Sequence, residues 1–212
     1  MTTTTTYPKE MHLFLLQNTG LIEKGSLTDA VEETIFAAIH ERITRKLERR
    51  PWELHCNILK VIEGSYGETM LAPIAWPQRK DEKRLAYYRI WEAAEGNVRW
   101  LSCLLGLNKA PTCFELYIDG RLGGPKVNVK DRTQDFYIKT PAIHELGFTC
   151  NEGVLQMPFS FDAARLVEEY PDLRKTMLAF EGLLDKLLKA HEHIDKLIMS
   201  MVPVSGQNGT QK

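Results

Sequence analysis

The chain has 212 residues, of which 43% are hydrophobic and 26% charged, a composition typical of folded globular proteins and incompatible with global disorder. Its formal net charge of −1 excludes an overall attraction to nucleic acid or acidic lipid, so such binding would need a local patch. The four cysteines include no CxxC pair, which argues against a zinc module. We therefore expect no metal and no cofactor.

The two ends of the chain differ from the rest in composition. A threonine run predicts a disordered tip over residues 1–10, and a polar terminal segment predicts a disordered tail over 203–212. No basic region of a signal peptide precedes the short apolar run after the tip, and nothing approaches the ~18 apolar residues of a membrane span. We expect a cytoplasmic protein with no membrane partner and a single domain over 11–202.

A helix is the first predicted element. Ser26 and Asp29 have the spacing of a capping box, apolar residues follow at helical intervals, and Pro51 ends the pattern. Two short apolar segments come next, WELHCNILKVIEG and TMLAPIAWP, and both predict strands of an antiparallel hairpin.

The middle of the chain carries a less certain pattern. Leu85, Tyr88 and Trp91 lie on one side of a helical projection, which predicts a helix over 81–95. The apolar segment 97–107 fits a buried strand as well as a helix, because a short apolar run has no distinguishing period.

The stretch ELYIDGRLGGPKVNVK combines glycines with lysines, as phosphate-binding loops do. Alternation predicts a strand in CFELYIDG and another in PKVNVK, with DFYIK as a further strand. The glycines then form the bend of a hairpin, because glycine adopts positive φ without steric cost. A phosphate loop needs GxxxxGK[ST] between a strand and a helix, so this stretch is interpreted as a turn.

Helices dominate the predicted C-terminal part. The pattern predicts a short helix over 140–147, a strand in VLQMPF, a helix over 161–170 and a long amphipathic helix over about 172–202. Together these elements predict an α+β fold, with antiparallel hairpins and segregated helices.

The long helix has an apolar seam with alternating steps of four and three residues, the spacing of a heptad repeat. Such a seam packs along its own domain or meets a helix of a second copy or another protein, and both alternatives stay open here. The candidate partner-binding residues are Leu173, Met177, Phe180, Leu184, Leu187, His191, Ile194 and Ile198.

His191 is the polar member of the seam. Asp195 lies four residues later, so the two side chains lie on one helix face. The pair is either a buried pair that titrates near neutral pH or a satisfied histidine at a helix edge, which is the commoner case.

Two basic clusters contain or adjoin aromatic residues, a combination that also occurs in proteins that bind nucleic acid. The alternative is a solvated helix face with core aromatics. The candidate nucleic-acid-binding residues are Arg42, Arg45, Lys46, Arg49, Arg79, Lys80, Lys83 and Arg84.

Catalytic signatures are sparse. His144–Glu145, His55–Cys56 and Glu68 are possible acid–base groups, although structural roles are commoner for each. The sequence favours a non-catalytic accessory protein, such as an adaptor, subunit or inhibitor, that docks a protein partner or itself through the C-terminal helix. The alternatives are a nucleic-acid-associated accessory protein and an enzyme whose site is scattered in sequence.

Overall fold

A computed structural model gives the fold and describes residues 29–57, 68–78, 84–92, 100–106, 112–124 and 127–203. The helices of this part are α1 (Asp29–Leu47), α2 (Trp100–Leu104), α3 (Val129–Lys139), α4 (Pro141–Glu145), α5 (Ala163–Glu169) and α6 (Arg174–Met201). The strands are β1 (Trp52–Asn57), β2 (Glu68–Pro73), β3 (Ala86–Glu92), β4 (Thr112–Ile118), β5 (Thr149–Asn151) and β6 (Val154–Phe159). They form one antiparallel sheet in the order β1-β2-β3-β4-β6-β5, so the predicted α+β class is confirmed.

The two faces of the sheet differ in what covers them. On the inner face, Phe114 of β4 stacks on Phe180 of α6 with 5.7 Å between ring centroids. Ala86, Tyr88 and Ile90 of β3 share this face and are buried. On the outer face lie the alternate residues of the same strands, which bear polar and aromatic side chains. The hydrophobic core therefore lies between the inner face and the long helices.

Helices α1 and α6 run parallel to each other against the core. The Arg42 guanidinium contacts the Glu181 carboxylate at 2.7 Å, and one turn further along both helices Lys46 contacts Asp185 at 2.6 Å. These ion pairs join the first described helix to the last one, across most of the chain.

The helix predicted over 81–95 is wrong where the structure describes that segment. Residues Ala86–Glu92 form β3, which pairs with β2 on one side and with β4 on the other. The physical reason is the period: Ala86, Tyr88 and Ile90 are buried while Tyr87 and Arg89 point to the outer face, an alternation of two rather than 3.6.

The ambiguous segment 97–107 contains the short helix α2. All five of its residues are buried, and the Trp100 ring packs edge-on against Phe36 of α1 at 6.0 Å. A helix surrounded by core on all sides has no polar face, which is why its sequence showed no helical period.

The strands predicted in PKVNVK and DFYIK are also wrong, because α3 occupies this region. Asn128 caps the helix: its side-chain oxygen accepts hydrogen bonds from the backbone N–H groups of Lys130 at 3.1 Å and Asp131 at 3.4 Å. An asparagine in this position supplies acceptors that the first helical turn otherwise lacks. The alternation of Val127 and Val129 covers only the approach to the helix and its first residue.

The other predicted elements are present, with boundaries shifted by a few residues. These are α1, the β1–β2 hairpin, β4, the short helix α4, β6, α5 and the long helix α6. The predicted cap at Ser26, the predicted tip over 1–10, the part of the first predicted strand over 58–64 and the tail beyond residue 203 lie outside the described residues.

Candidate functional site

The seam of α6 lies inside the domain. The side chains of the seam other than His191 pack into the hydrophobic core of the same chain, with Leu184 only 3% exposed and Leu187 fully buried. The helix therefore packs along its own domain, the first of the two alternatives. The buried residues of the predicted partner-binding set are Leu173, Met177, Phe180, Leu184, Leu187, Ile194 and Ile198.

His191 is half-buried within a cluster of aromatic rings. Its ring centroid lies 4.8 Å from that of Trp52 and 5.6 Å from that of Trp76. Asp195 accepts a hydrogen bond from Trp76 Nε1 at 2.9 Å, and His191 Nδ1 is buried with no hydrogen-bond partner among the described groups. Burial lowers the pKa of His191, against the opposing charges of Asp195 and Glu192.

The predicted basic residues of α1 do not form one exposed face. Arg42 and Lys46 turn towards α6 and form the two ion pairs described above, whereas Arg45 and Arg49 are exposed. Arg45 also contacts Glu41 on its own helix. Half of this cluster therefore joins two helices of the domain.

The second basic cluster is described only at Arg84, because Arg79, Lys80 and Lys83 lie outside the described residues. Arg84 donates to both carboxylate oxygens of Glu53, at 2.9 and 2.6 Å, and to the backbone carbonyls of Ile74 and Trp76. Its guanidinium thus connects β1 to the chain that follows β2.

Of the predicted acid–base candidates, His144 and Glu145 are the ones whose side chains the structure describes. The His144 ring stacks on Tyr137 at 3.9 Å, with Nε2 2.7 Å from the carbonyl of the same tyrosine. The side chains of His55, Cys56 and Glu68 lie outside the described set. Among the described residues there is no group of three side chains able to hold a metal ion.

The sheet opens between β4 and β6. These strands pair from Thr112 opposite Phe159 to Glu115 opposite Gln156. Beyond that point β4 continues beside β3 as far as Ile118, whereas the remaining residues of β6 pair only with β5. Two neighbouring strands therefore separate while both remain in the sheet.

A groove of about 490 Å³ occupies the gap between the separated strands. One wall is β4, and the other is formed by the β5–β6 turn and the start of α3. Its lining residues are Arg89, Glu115, Leu116, Tyr117, Ile118, Gly120, Val127, Asn128, Val129, Lys130, Gly153 and Val154. Aliphatic side chains make up much of this lining, and its charged residues are Arg89, Glu115 and Lys130.

A buried ion pair forms the polar end of the groove. Glu115 is 6% exposed, and its Oε1 accepts hydrogen bonds from Arg89 Nε at 2.9 Å and Arg89 Nη2 at 2.5 Å. Gln156 Nε2 donates to the other carboxylate oxygen at 3.2 Å. The Arg89 guanidinium also lies over the Tyr117 ring, 5.4 Å from its centroid, and Tyr117 stacks on Tyr87. The two charges neutralise each other where they are buried.

A close backbone contact fixes the far end of the groove. Gly153 has φ +77°, and a Cβ built on it would lie 2.6 Å from Lys130 Cα. Only glycine allows the β5–β6 turn to approach α3 so closely. This contact holds the first turn of α3 across the groove.

The glycine-rich loop after β4 leads into α3, so the predicted hairpin context is wrong and the order is strand, loop, helix. The helix start is nevertheless occupied by its own cap, since Asn128 accepts from Lys130 and Asp131. Pro125 also stands where a phosphate loop would continue towards its lysine. The loop therefore contributes a wall of the groove, and not a phosphate cradle.

Nine of the twelve groove residues lie in the stretch ELYIDGRLGGPKVNVK, which the sequence pattern predicted to be a turn and not a site, and the other three were missed. Arg89 fell in the predicted helix, and Gln156 belongs to a strand with no evident chemistry. The available signal was the opposite charge of Arg89 and Glu115 on two alternating segments, which become cross-strand partners when the segments pair.

Comparison with known proteins gives no relative. No protein-family model matches the sequence, and no curated protein or solved structure is significantly similar to it. Within the described ranges, no helix is both long enough and apolar enough to cross a membrane. The groove is therefore the feature of the described residues that indicates a function.

Proposed function

We propose that this chain is a non-catalytic interaction protein that binds a segment of a partner protein in the groove between β4 and β6. The observation that carries the proposal is the separation of the two strands after Glu115–Gln156, beside a groove with aliphatic walls. A concave, mostly apolar surface with a few fixed polar groups is the usual form of a binding site.

The charged groups of the groove favour binding over catalysis. The Glu115 carboxylate already accepts three hydrogen bonds, two of them from Arg89. A general base needs a free lone pair within reach of a substrate proton, and an electrophilic arginine needs unpaired donors aimed at the substrate. Arg89 and Glu115 instead bind each other, and this fixed arrangement suits the orientation of a bound segment.

Because the seam of α6 is buried, we assign the partner to the groove at the sheet and not to the helix. An apolar seam that fills the core is accessible to a partner only if the helix leaves the domain, which would expose Phe180, Leu187 and their neighbours. The groove needs no such rearrangement. The proposal therefore keeps a protein partner and assigns it a different surface.

A photo-crosslinking experiment tests this assignment. We would replace Tyr117, which lines the groove, with p-benzoylphenylalanine, and in a matched variant replace Leu178, which is 61% exposed on α6. On irradiation in the native cells, we expect one protein adduct from the Tyr117 variant and none from the Leu178 variant. An adduct only at Leu178 would place the partner on the helix, and no adduct at either position would refute the proposal.

A blocking substitution provides the control for occupancy of the groove. Gly120 lines the groove, and a Cβ built on it meets no atom within 4 Å, so Gly120→Phe should fill open space without strain. Gly182 on α6 is equally unhindered and exposed, which makes Gly182→Phe the matched variant. Only Gly120→Phe should abolish the Tyr117 adduct.

A further inference from the structure

We infer that the groove binds the C-terminal end of its partner protein, with the terminal carboxylate paired to Lys130 and aliphatic side chains along the groove walls. This inference rests on the proposed function and specifies its ligand as the last few residues of a partner chain. The observations behind it are the net charge of the groove, the contact that closes one of its ends and the aliphatic residues between the two ends.

Lys130 gives the groove a charge that no described neighbour cancels. The charged residues of the lining are Arg89, Glu115 and Lys130, two cations and one anion, so the lining has a net charge of +1. Arg89 and Glu115 hydrogen-bond to each other. Lys130 is exposed, and no carboxylate of the described residues forms an ion pair with it. The lining therefore attracts an anionic group, and Lys130 is where that group binds.

Lys130 lies at the end of the groove away from the ion pair. Gln156 is opposite Glu115 in the sheet, and Gly153, three residues earlier in the chain, touches Lys130. Three residues of extended chain span roughly 10 Å. A ligand that reaches from the ion pair to Lys130 therefore places about three residues in the groove.

The contact of Gly153 with Lys130 closes this end of the groove. A Cβ built on Gly153 would lie 2.6 Å from Lys130 Cα and 2.7 Å from Lys130 Cβ, so the β5–β6 turn and α3 leave no room there for even one side-chain carbon. A bound chain cannot continue between them. A chain that ends at this point fits, and its terminal carboxylate supplies the anion for Lys130. Capture of a C-terminal carboxylate is a recurring mode of peptide recognition.

The groove walls determine the side chains that precede the carboxylate. The half-buried aliphatic residues of the lining are Ile118, Val127, Val129 and Val154. Each has apolar surface that a ligand can remove from water, and such burial is favourable in proportion to its area. The last residues of the partner are therefore aliphatic.

Phage display tests the inference on the full chain. Random octapeptides are fused to the C-terminus of a coat protein, so that each displayed peptide ends in a free carboxylate. We expect the selected peptides to end in aliphatic residues. Each selected peptide is then synthesised twice, as the free acid and as the C-terminal amide, and both forms are titrated by calorimetry.

The charge of the terminus and the charge of Lys130 should act as a pair. We expect amidation to weaken binding to the parent protein about fivefold, the upper range for an exposed ion pair. In Lys130→Met the free acid should lose the same factor, and the amide should bind as it does to the parent. Salt screening can remove no more than this fivefold contribution.

Lys139→Met is the matched control for the lysine substitution. Lys139 is an exposed residue near the other end of α3 and is absent from the groove lining. This variant should keep the fivefold difference between acid and amide. Circular dichroism should show that both lysine variants fold as the parent does, since both positions are exposed.

The groove variants show where the peptide binds. Binding should be lost in Gly120→Phe and retained in Gly182→Phe. Equal binding to both variants would place the peptide elsewhere on the protein and refute the inference.

The outcomes distinguish this inference from the proposed function. If acid and amide bind equally well, or if the carboxylate that depends on Lys130 belongs to an internal Asp or Glu of the peptide, capture of the C-terminus is refuted and the groove remains the docking surface. An adduct at Tyr117 without any selected peptide refutes it in the same way. If no adduct forms at Tyr117 and no peptide is selected, the proposed function fails and the inference fails with it.

Discussion

At the residue scale, Gly153 determines whether the groove has a far wall. We predict that Gly153→Ala lowers the free energy of unfolding by at least about 1–2 kcal/mol, the cost of a left-handed conformation in a non-glycine residue. The contact between the new Cβ and Lys130, at 2.6 Å, adds to that cost because backbone atoms have to move. Urea denaturation of the variant and the parent protein measures the difference.

Gly120→Ala is the matched control for this prediction. Gly120 is outside the left-handed region, and its Cβ would meet no atom within 4 Å. The substitution should leave stability unchanged or raise it by up to about 1 kcal/mol through the unfolded state. Equal losses in both variants would show that the close approach of Gly153 to α3 is not the cause.

Burial of His191 should lower the free energy of unfolding in acid. Because burial lowers its pKa in the folded protein, the unfolded chain binds more protons near its ordinary pKa of about 6.5. Its contribution to stability is therefore complete above about pH 6.5 and decreases as the pH falls below that value. Tyr88 lies in the same ring cluster, and burial raises its pKa well above the ordinary value, so both groups are held neutral.

The measurement is the urea midpoint between pH 7.5 and 5.5 for the parent, His191→Gln and His193→Gln. We expect the slope with pH to flatten in His191→Gln only, because glutamine does not titrate. His193 lies two residues away on a different side of α6 and serves as the control. Parallel slopes in all three proteins would contradict the prediction.

At the element scale, α6 is the helix on which the fold depends most. Leu184 is 3% exposed and Leu187 is fully buried, so Leu184→Glu with Leu187→Glu places two unpaired carboxylates in the core. Each uncompensated buried charge costs about 3–5 kcal/mol, so we predict a combined loss of more than about 6 kcal/mol, comparable to the whole stability of many domains. Circular dichroism at 25 °C should show an unfolded double variant, whereas Leu178→Glu, at an exposed position, should remain folded.

The elements show which parts of the fold are predictable from local pattern. Helix α6 was recognisable because its apolar residues follow one stripe over eight turns. Whether that stripe packs on a sheet or on a partner helix was not recognisable, because both surfaces are equally apolar. Strand β3 was mistaken for a helix because Leu85, Tyr88 and Trp91 also fit a spacing of three, and only pairing with β2 and β4 decides between the periods.

The groove could not be predicted from the local sequence pattern, for a different reason. It exists because β6 stops pairing with β4 at Gln156, and that point depends on the β5–β6 turn and on α3. The cap at Asn128 was visible in the sequence, with Asp131 three residues later, but the alternation of Val127 and Val129 concealed it. Sites formed by register and by contacts distant in sequence need the tertiary structure.

At the scale of the whole molecule, one hydrophobic core connects the two ends of the described chain. Trp52 and Trp76 pack near His191 of α6, whereas Trp100 packs on Phe36 of α1. We predict a single cooperative unfolding transition, since losing either long helix removes the cover of the sheet. Tryptophan fluorescence and circular dichroism at 222 nm should give coincident curves in urea, and separated midpoints would indicate independent units.

The buried pair of Arg89 and Glu115 has a consequence for the conditions in which a partner stays bound. Because the charges of Arg89 and Glu115 cancel, these two residues hold few counterions that a bound partner segment would displace. Proteins that hold nucleic acid by its phosphates lose affinity steeply as salt increases. A complex formed at this groove should therefore keep its affinity at high salt concentration.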